Sequence, residues 1–172
     1  SQTLSNLLGK QLRIDVSAFN SGVATRDDAT VGHLIPTDNP FVGTASGINQ
    51  LIYNLGLRNP FSFAVQPGMG TIYINDVGEN SFEEINDGIA GSNYGWPTTE
   101  GATSNPAFRS PLYTYRHTGG TPTGCAITGG AFYNPTTAQF PADYIGDYFF
   151  ADFCSGFIWR FDPTVVPPAT QA

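Results

Sequence analysis

Lysine is almost missing from this chain: Lys10 is the only one among 172 residues, and charged side chains of every kind amount to 12%. Seven basic residues face fourteen acidic ones, for a net charge of −7. No basic stripe is available to neutralise phosphates, which excludes a nucleic-acid partner. The same balance disfavours docking on an anionic membrane surface. No apolar run approaches the ~20 residues that a membrane-spanning helix needs. No charged-then-apolar leader is read from Ser1 onward, so an export signal is expected to be absent or already removed. Cysteine is scarce too. Cys125 and Cys154 stand far apart without C-x-x-C spacing, and His33 and His117 are the only histidines, too few ligands for a zinc cluster. The two cysteines read as a pair of buried thiols or as one disulfide; a loop-rich acidic chain suits an oxidising compartment and favours the bond.

What is plentiful points to turns and strands. There are 20 Gly and 13 Pro, and aromatics make up 13%, a composition that with the many Thr, Val and Ile favours β-structure. "LLGKQLRIDV" (Leu7 to Val16) alternates like a strand. Residues 17–47 are polar and turn-rich and read as a long surface loop. "LIYNLGLRNP", "FSFAVQP", "TIYINDVG" and "EEINDGI" then follow closely, with short turns at "MG" and "EN" that make the last three an antiparallel meander. After the loop "GSNYGWPTTEG", a second meander covers "AITGGAFYNP", "DYFFADF" and "GFIWRFDP". The two meanders share a grammar: aromatic strand, Asn-Pro or Gln-Pro turn, aromatic strand, Asp, then a Gly-containing turn. Repeats of this size suggest propeller blades, with a β-sandwich of similar hairpins as the alternative. Residues 48–97 would form one blade with its following loop and 110–165 another.

One stretch carries charge out of proportion. Between Gly56 and Asn86 lie Arg58, Asn59, Asp76, Glu79, Glu83 and Glu84. This stretch belongs to six ordered blocks, "LLGKQLRID", "GLRNPFSFAVQP", "YINDVGENSFEEIN", "GSNYGWPTTEG", "ITGGAFY" and "GDYFFADFCSGFIWRF". Together they closely resemble the soluble quinoprotein glucose/sorbosone dehydrogenase family, over nearly the whole chain. The resemblance implies an all-β fold, part of a six-bladed β-propeller. It also implies oxidation of the C1 hydroxyl of sugars by hydride transfer to pyrroloquinoline quinone (PQQ), with calcium bound beside that cofactor at one end of the channel. On this reading Arg58 and Asn59 bind the cofactor, since a permanently cationic planar fork suits its carboxylates and the amide can donate to an oxygen. Gly78 and Glu79 match the positions whose main-chain carbonyls hold calcium. Arg58 is expected to point to the channel end with Glu83 or Glu84 in reach; the plainer role for such a pair is to pin the hairpin.

The departures from the family pattern are specific. Val77 stands where the glucose-oxidising branch has a glutamine, Glu83 where it has an aspartate, and Cys154 near the place of a cofactor-pairing lysine. The "DFCSG" form resembles another branch, in which Cys154 pairs with Cys125. The family's catalytic histidine lies upstream of the block matching "SNLLGKQLRI", so no catalytic residue is assigned within this chain. His117, in "YRHTGG", is a candidate only in that its loop could reach the channel mouth, a surface histidine being the blander reading. Blades take about 40–50 residues each, so roughly three to four are expected here, with the remaining blades or a partner chain covering the sheet edges. The isolated chain is expected to be inactive. The implied location is periplasmic or extracellular, and relatives that use the propeller to bind proteins supply a non-enzymatic alternative.

Overall fold

The computed structural model describes residues 1–17, 31–165 and 170–171. Part of the expected 17–47 loop, residues 18–30, therefore lies outside the described residues. Strands β1 (Lys10–Leu12) and β2 (Ile52–Leu55) pair as an antiparallel two-stranded ladder. Strands β3 (Pro60–Val65), β4 (Ile72–Asp76), β5 (Phe82–Asp87) and β6 (Tyr113–Arg116) form a four-stranded meander in sequence order. A second meander comprises β7 (Ile127–Phe132), β8 (Tyr148–Asp152), β9 (Ile158–Phe161) and the short β10 (Thr170–Gln171). Each ladder between these strands is antiparallel, as connections between sequential strands allow. The architecture is all-β, two successive four-stranded blades of a β-propeller with the β1–β2 ladder beside them.

The outer strand of the first sheet is β6, at Tyr113–Arg116. The sequence division into 48–97 and 110–165 assigned that segment to the second blade. Aromatic pattern alone does not say which neighbour a lone "YTYR" joins; its register with β5, Phe82 opposite Arg116 and Glu84 opposite Thr114, does.

The core lies between the two sheets. Tyr73, Ile85, Tyr115, Ile127, Tyr148, Phe150 and Phe161 are buried together, with Tyr73 meeting Phe132 at 4.6 Å and Tyr148 edge-on at 5.2 Å between ring centroids. Such aromatic pairs add to the stabilisation from their buried area. The Tyr148 ring crosses over Gly130, where a Cβ would meet its hydroxyl at 2.0 Å. Through that space the phenol reaches β4 and donates to Asn75 Oδ1 at 3.1 Å. Strands β3 and β4 are joined to β7 through polar atoms: Ser62 Oγ and Asn75 Nδ2 both donate to the Thr128 carbonyl. The opposite face of β3 carries Phe61, Phe63 and Val65, all exposed.

Candidate active site at one end of the two sheets

Antiparallel order brings distant segments to one end. Pro60 opens β3 opposite Asp76, which closes β4; Phe82 opens β5 opposite Arg116, which closes β6; Ile127 opens β7 opposite Asp152, which closes β8. All the site residues inferred from the sequence flank these ends: Arg58, Asn59, Gly78, Glu79, His117, Cys125 and Cys154.

Asp76 ties the loop before β3 in place. It is 4% exposed and accepts the backbone N–H of Arg58 at 2.9 Å and of Asn59 at 2.7 Å, one on each carboxylate oxygen. Burial, reinforced by the charges of Glu84 and Glu83 and opposed by those two amides, pushes its carboxyl up to about 7. The held loop aims the Arg58 side chain across the following turn. Its Nη1 donates to the Val77 carbonyl at 3.2 Å and the Gly78 carbonyl at 2.5 Å, and its guanidinium lies 5.8 Å from the centroid of Trp96. Arg58 is half-buried and Asn59 exposed, so both open to the same end.

The turn after β4 is organised around one carboxylate oxygen. Glu100 Oε1 accepts four consecutive backbone N–H groups, from Glu79 (2.9 Å), Asn80 (3.1 Å), Ser81 (2.9 Å) and Phe82 (3.1 Å). Burial opposes charge on Glu100, but the four amides outweigh it and hold its carboxyl below the usual glutamate range. Gly78 is buried beneath this turn, where a Cβ would come within 1.7 Å of the Phe82 carbonyl and 2.7 Å of Glu100 Oε1. Only glycine fits there. Glu79 is exposed, and its carboxylate accepts Asn80 Nδ2 at 3.2 Å.

The expected pairing of Arg58 with Glu83 or Glu84 is not formed. Successive residues of a strand face opposite ways, and the two glutamates go to different partners. Glu83 is fully buried; its Oε1 lies 2.6 Å from His117 Nε2 and its Oε2 accepts the Ile127 N–H at 2.9 Å. Glu84 accepts Gly101 N–H at 2.6 Å and Asn86 Nδ2 at 3.1 Å, and burial leads the causes that push its carboxyl up. His117 is therefore no bland surface histidine: its backbone N–H is bonded to the Ser81 carbonyl at 3.0 Å, and its ring is 15% exposed against Glu83.

Cys125 and Cys154 are joined in a disulfide with their Cα atoms 5.7 Å apart, and buried Asp152 gathers the backbone on both sides of it. Asp152 Oδ2 accepts Tyr115 Oη (2.7 Å), Cys125 N–H (3.1 Å) and Ala126 N–H (3.1 Å); Oδ1 accepts Cys154 and Ser155 N–H, each at 2.9 Å. Sequence reading passed over both Asp152 and Glu100, whose partners are mostly backbone amides. The available signals were a lone Asp before "FCSG" and a lone Glu before Gly101.

Among the described residues no group of three or more His, Cys, Asp and Glu side chains could hold a metal ion. A cation at the turn would be held by main-chain carbonyls, hard neutral oxygens of the kind calcium accepts. The Gly78 carbonyl accepts Arg58 Nη1 here, so a cation would take it only with the guanidinium turned away, toward an anionic group. The half-buried Arg58 fork fits an anionic group.

Fold and site thus define part of a propeller with charged groups collected at one end. The family model for glucose/sorbosone dehydrogenase matches residues 1–164, and the chain belongs to that family. Over 176 residues it is 31% identical to the HIPL2 protein of Arabidopsis thaliana, an alignment covering 92% of this chain and 25% of that protein. Over 79 residues it is 38% identical to quinoprotein glucose dehydrogenase B of Acinetobacter calcoaceticus, covering 46% and 16% respectively. The PQQ-bound aldose sugar dehydrogenase of Streptomyces coelicolor superposes with a TM-score of 0.69 at 24% identity, over all of this chain and 41% of that one. The chain spans about a quarter of the length of the HIPL2 relative.

Proposed function

We propose that this chain supplies part of the cofactor end of a quinoprotein sugar dehydrogenase that oxidises the C1 hydroxyl of aldoses. Family membership supports the reaction class, and the name of the Acinetobacter relative supports the quinone. When bound, PQQ would supply the two-electron acceptor and calcium would polarise its oxygens. Arg58 and Asn59 would hold the cofactor's anionic and carbonyl oxygens, and the Gly78 and Glu79 carbonyls would hold the cation. The sugar hydroxyl must lose a proton to a base. In the family pattern a histidine upstream of the block matching "SNLLGKQLRI" takes it; within this chain, His117 offers an imidazole held by the Glu83 carboxylate. The disulfide supports an oxidising location, periplasmic or extracellular. No helix among the described residues is long and apolar enough to cross a membrane. Further blades or a partner chain would cover Phe61, Phe63 and Val65.

The observation that carries this reading is the Arg58 guanidinium held at the Gly78 carbonyl, which puts the proposed anion and cation groups side by side. Calorimetric titration of the full chain with PQQ and calcium tests it. Arg58→Ala should weaken PQQ binding more than tenfold, as expected when a charge-assisted hydrogen bond worth about 1.5–3 kcal/mol is lost. Unchanged affinity removes Arg58 from the site. A second reading, a propeller that binds proteins without the cofactor, is supported by Val77 and Cys154, which replace a glutamine and a lysine of the glucose-oxidising pattern. Absence of any PQQ binding by the unmodified chain would favour it.

A further inference from the structure

Glu100 lies within the block "GSNYGWPTTEG" but was given no role there, yet its carboxylate accepts the backbone N–H of Glu79, Asn80, Ser81 and Phe82. We propose that Glu100 is a positioning residue: its carboxylate gathers the turn's N–H groups on one side and so fixes the Gly78 and Glu79 carbonyls on the other, where the cation is taken. This rests on the calcium reading of the turn given above.

The geometry follows from peptide planarity. In a trans peptide the N–H of one residue and the C=O of the residue before it point in opposite directions. Among the described residues the cis peptides are Trp96–Pro97 and Thr121–Pro122, both outside the turn. The N–H groups of Glu79 and Asn80 converge on Glu100 Oε1 at 2.9 and 3.1 Å. The carbonyls of Gly78 and Glu79 therefore face away from it. The Gly78 carbonyl shows the result directly, since it meets the Arg58 guanidinium at 2.5 Å.

Two further effects act in the same direction. Amides bonded to an anion are polarised, which makes the carbonyls across the same planes better acceptors. The turn is also clamped behind: a Cβ on Gly78 would strike the Phe82 carbonyl and crowd Glu100 Oε1, and next to Glu100 the Gly101 N–H is bonded to Glu84. Cation affinity rises with the rigidity of the oxygens offered, and Glu100 removes the turn's freedom to rotate its peptides.

The test uses calcium, and terbium as its luminescent substitute, on the full chain with PQQ present. Trp96, close to Arg58, is the indole placed to sensitise terbium emission. Glu100→Ala should weaken calcium at least tenfold and shorten the terbium emission lifetime, as water replaces loosened carbonyls. Glu100→Gln, which keeps an acceptor oxygen but not the charge, should fall between Glu100→Ala and the unmodified chain and guards against a variant that fails to fold. PQQ affinity at saturating calcium should stay within threefold. A lower melting temperature in chelator with unchanged calcium affinity for both variants would overturn the proposal and leave Glu100 a purely structural clamp. If the unmodified chain binds neither ion, the calcium reading itself falls and the role of Glu100 with it.

Discussion

Replacing Asp152 with alanine removes the acceptor for five hydrogen bonds at once. Their fates differ. The N–H groups of Cys125, Cys154 and Ser155 belong to exposed residues and can turn to water, so their loss costs little. Tyr115 Oη is buried between the sheets, and the Ala126 N–H is fixed by the start of β7. Each donor left unsatisfied costs about 1–3 kcal/mol. Two at the low end give ~2 kcal/mol, a large fraction of the ~5–15 kcal/mol that typically holds a domain together. Urea denaturation of the full chain followed by tryptophan fluorescence should show this as a lower midpoint at unchanged slope. Tyr115→Phe alone removes one donor along with its need for a partner and should cost about 1 kcal/mol. In a double-mutant cycle the two changes should be non-additive, because they share a hydrogen bond. A loss below ~1 kcal/mol for Asp152→Ala, or strict additivity with Tyr115→Phe, would refute the claim that Asp152 anchors the joint between the sheets.

Reducing the Cys125–Cys154 bond opens a loop closed across 29 residues; on chain-entropy grounds this should cost ~3–4 kcal/mol, read as a lower denaturation midpoint in dithiothreitol. Gly78→Ala forces a methyl carbon into the Phe82 carbonyl and should cost more than about 3 kcal/mol or abolish folding, whereas an exposed control such as Gly129→Ala should be nearly neutral by the same assay. Asp76 titrates near 7 in the folded chain against 3.8 as its ordinary value. Its contribution to stability is therefore fully present below about pH 4 and lost as pH rises through 7, amounting to at most ~4 kcal/mol. In the presence of chelator, Asp76→Asn should flatten that slope, and an unchanged slope would assign the linkage to another group.

The strands of both meanders were legible because their aromatic and β-branched runs are short and bounded by Gly, Pro and Asn turns. Strand β1 was overread. "LLGKQLRIDV" alternates over ten residues, but the ladder with β2 holds only Lys10–Leu12, and Leu8 and Ile14 are exposed. The alternation of β3 was visible too, yet Phe61, Phe63 and Val65 stay outside the core while Ser62 bonds across to β7. Period-two patterning locates a face without saying what will cover it. Of the residues singled out for their chemistry, Arg58 and Gly78 are brought together at one end of the sheets and the two cysteines are bonded. The partners of Arg58 were misjudged because it bonds to backbone carbonyls rather than to the nearest glutamates. Glu100 and Asp152 were invisible for the matching reason. A carboxylate that collects main-chain amides needs only the right loop around it, and no residue spacing announces that.

The hydrogen bonds that cross between β3–β6 and β7–β9 have a consequence for how the chain comes apart. Glu83 depends on an amide of the second meander, Tyr148 on an amide side chain of the first, and Tyr115 on a carboxylate that also secures the disulfide loop. Separating the meanders would strand buried charge and buried hydroxyl on both sides at once, a penalty neither could relieve alone. The two blades consequently behave as one cooperative unit of unfolding, not as two modules that happen to touch. The boundary at which the repeat can be recombined, permuted or exchanged with another propeller lies outside this pair, not between its members.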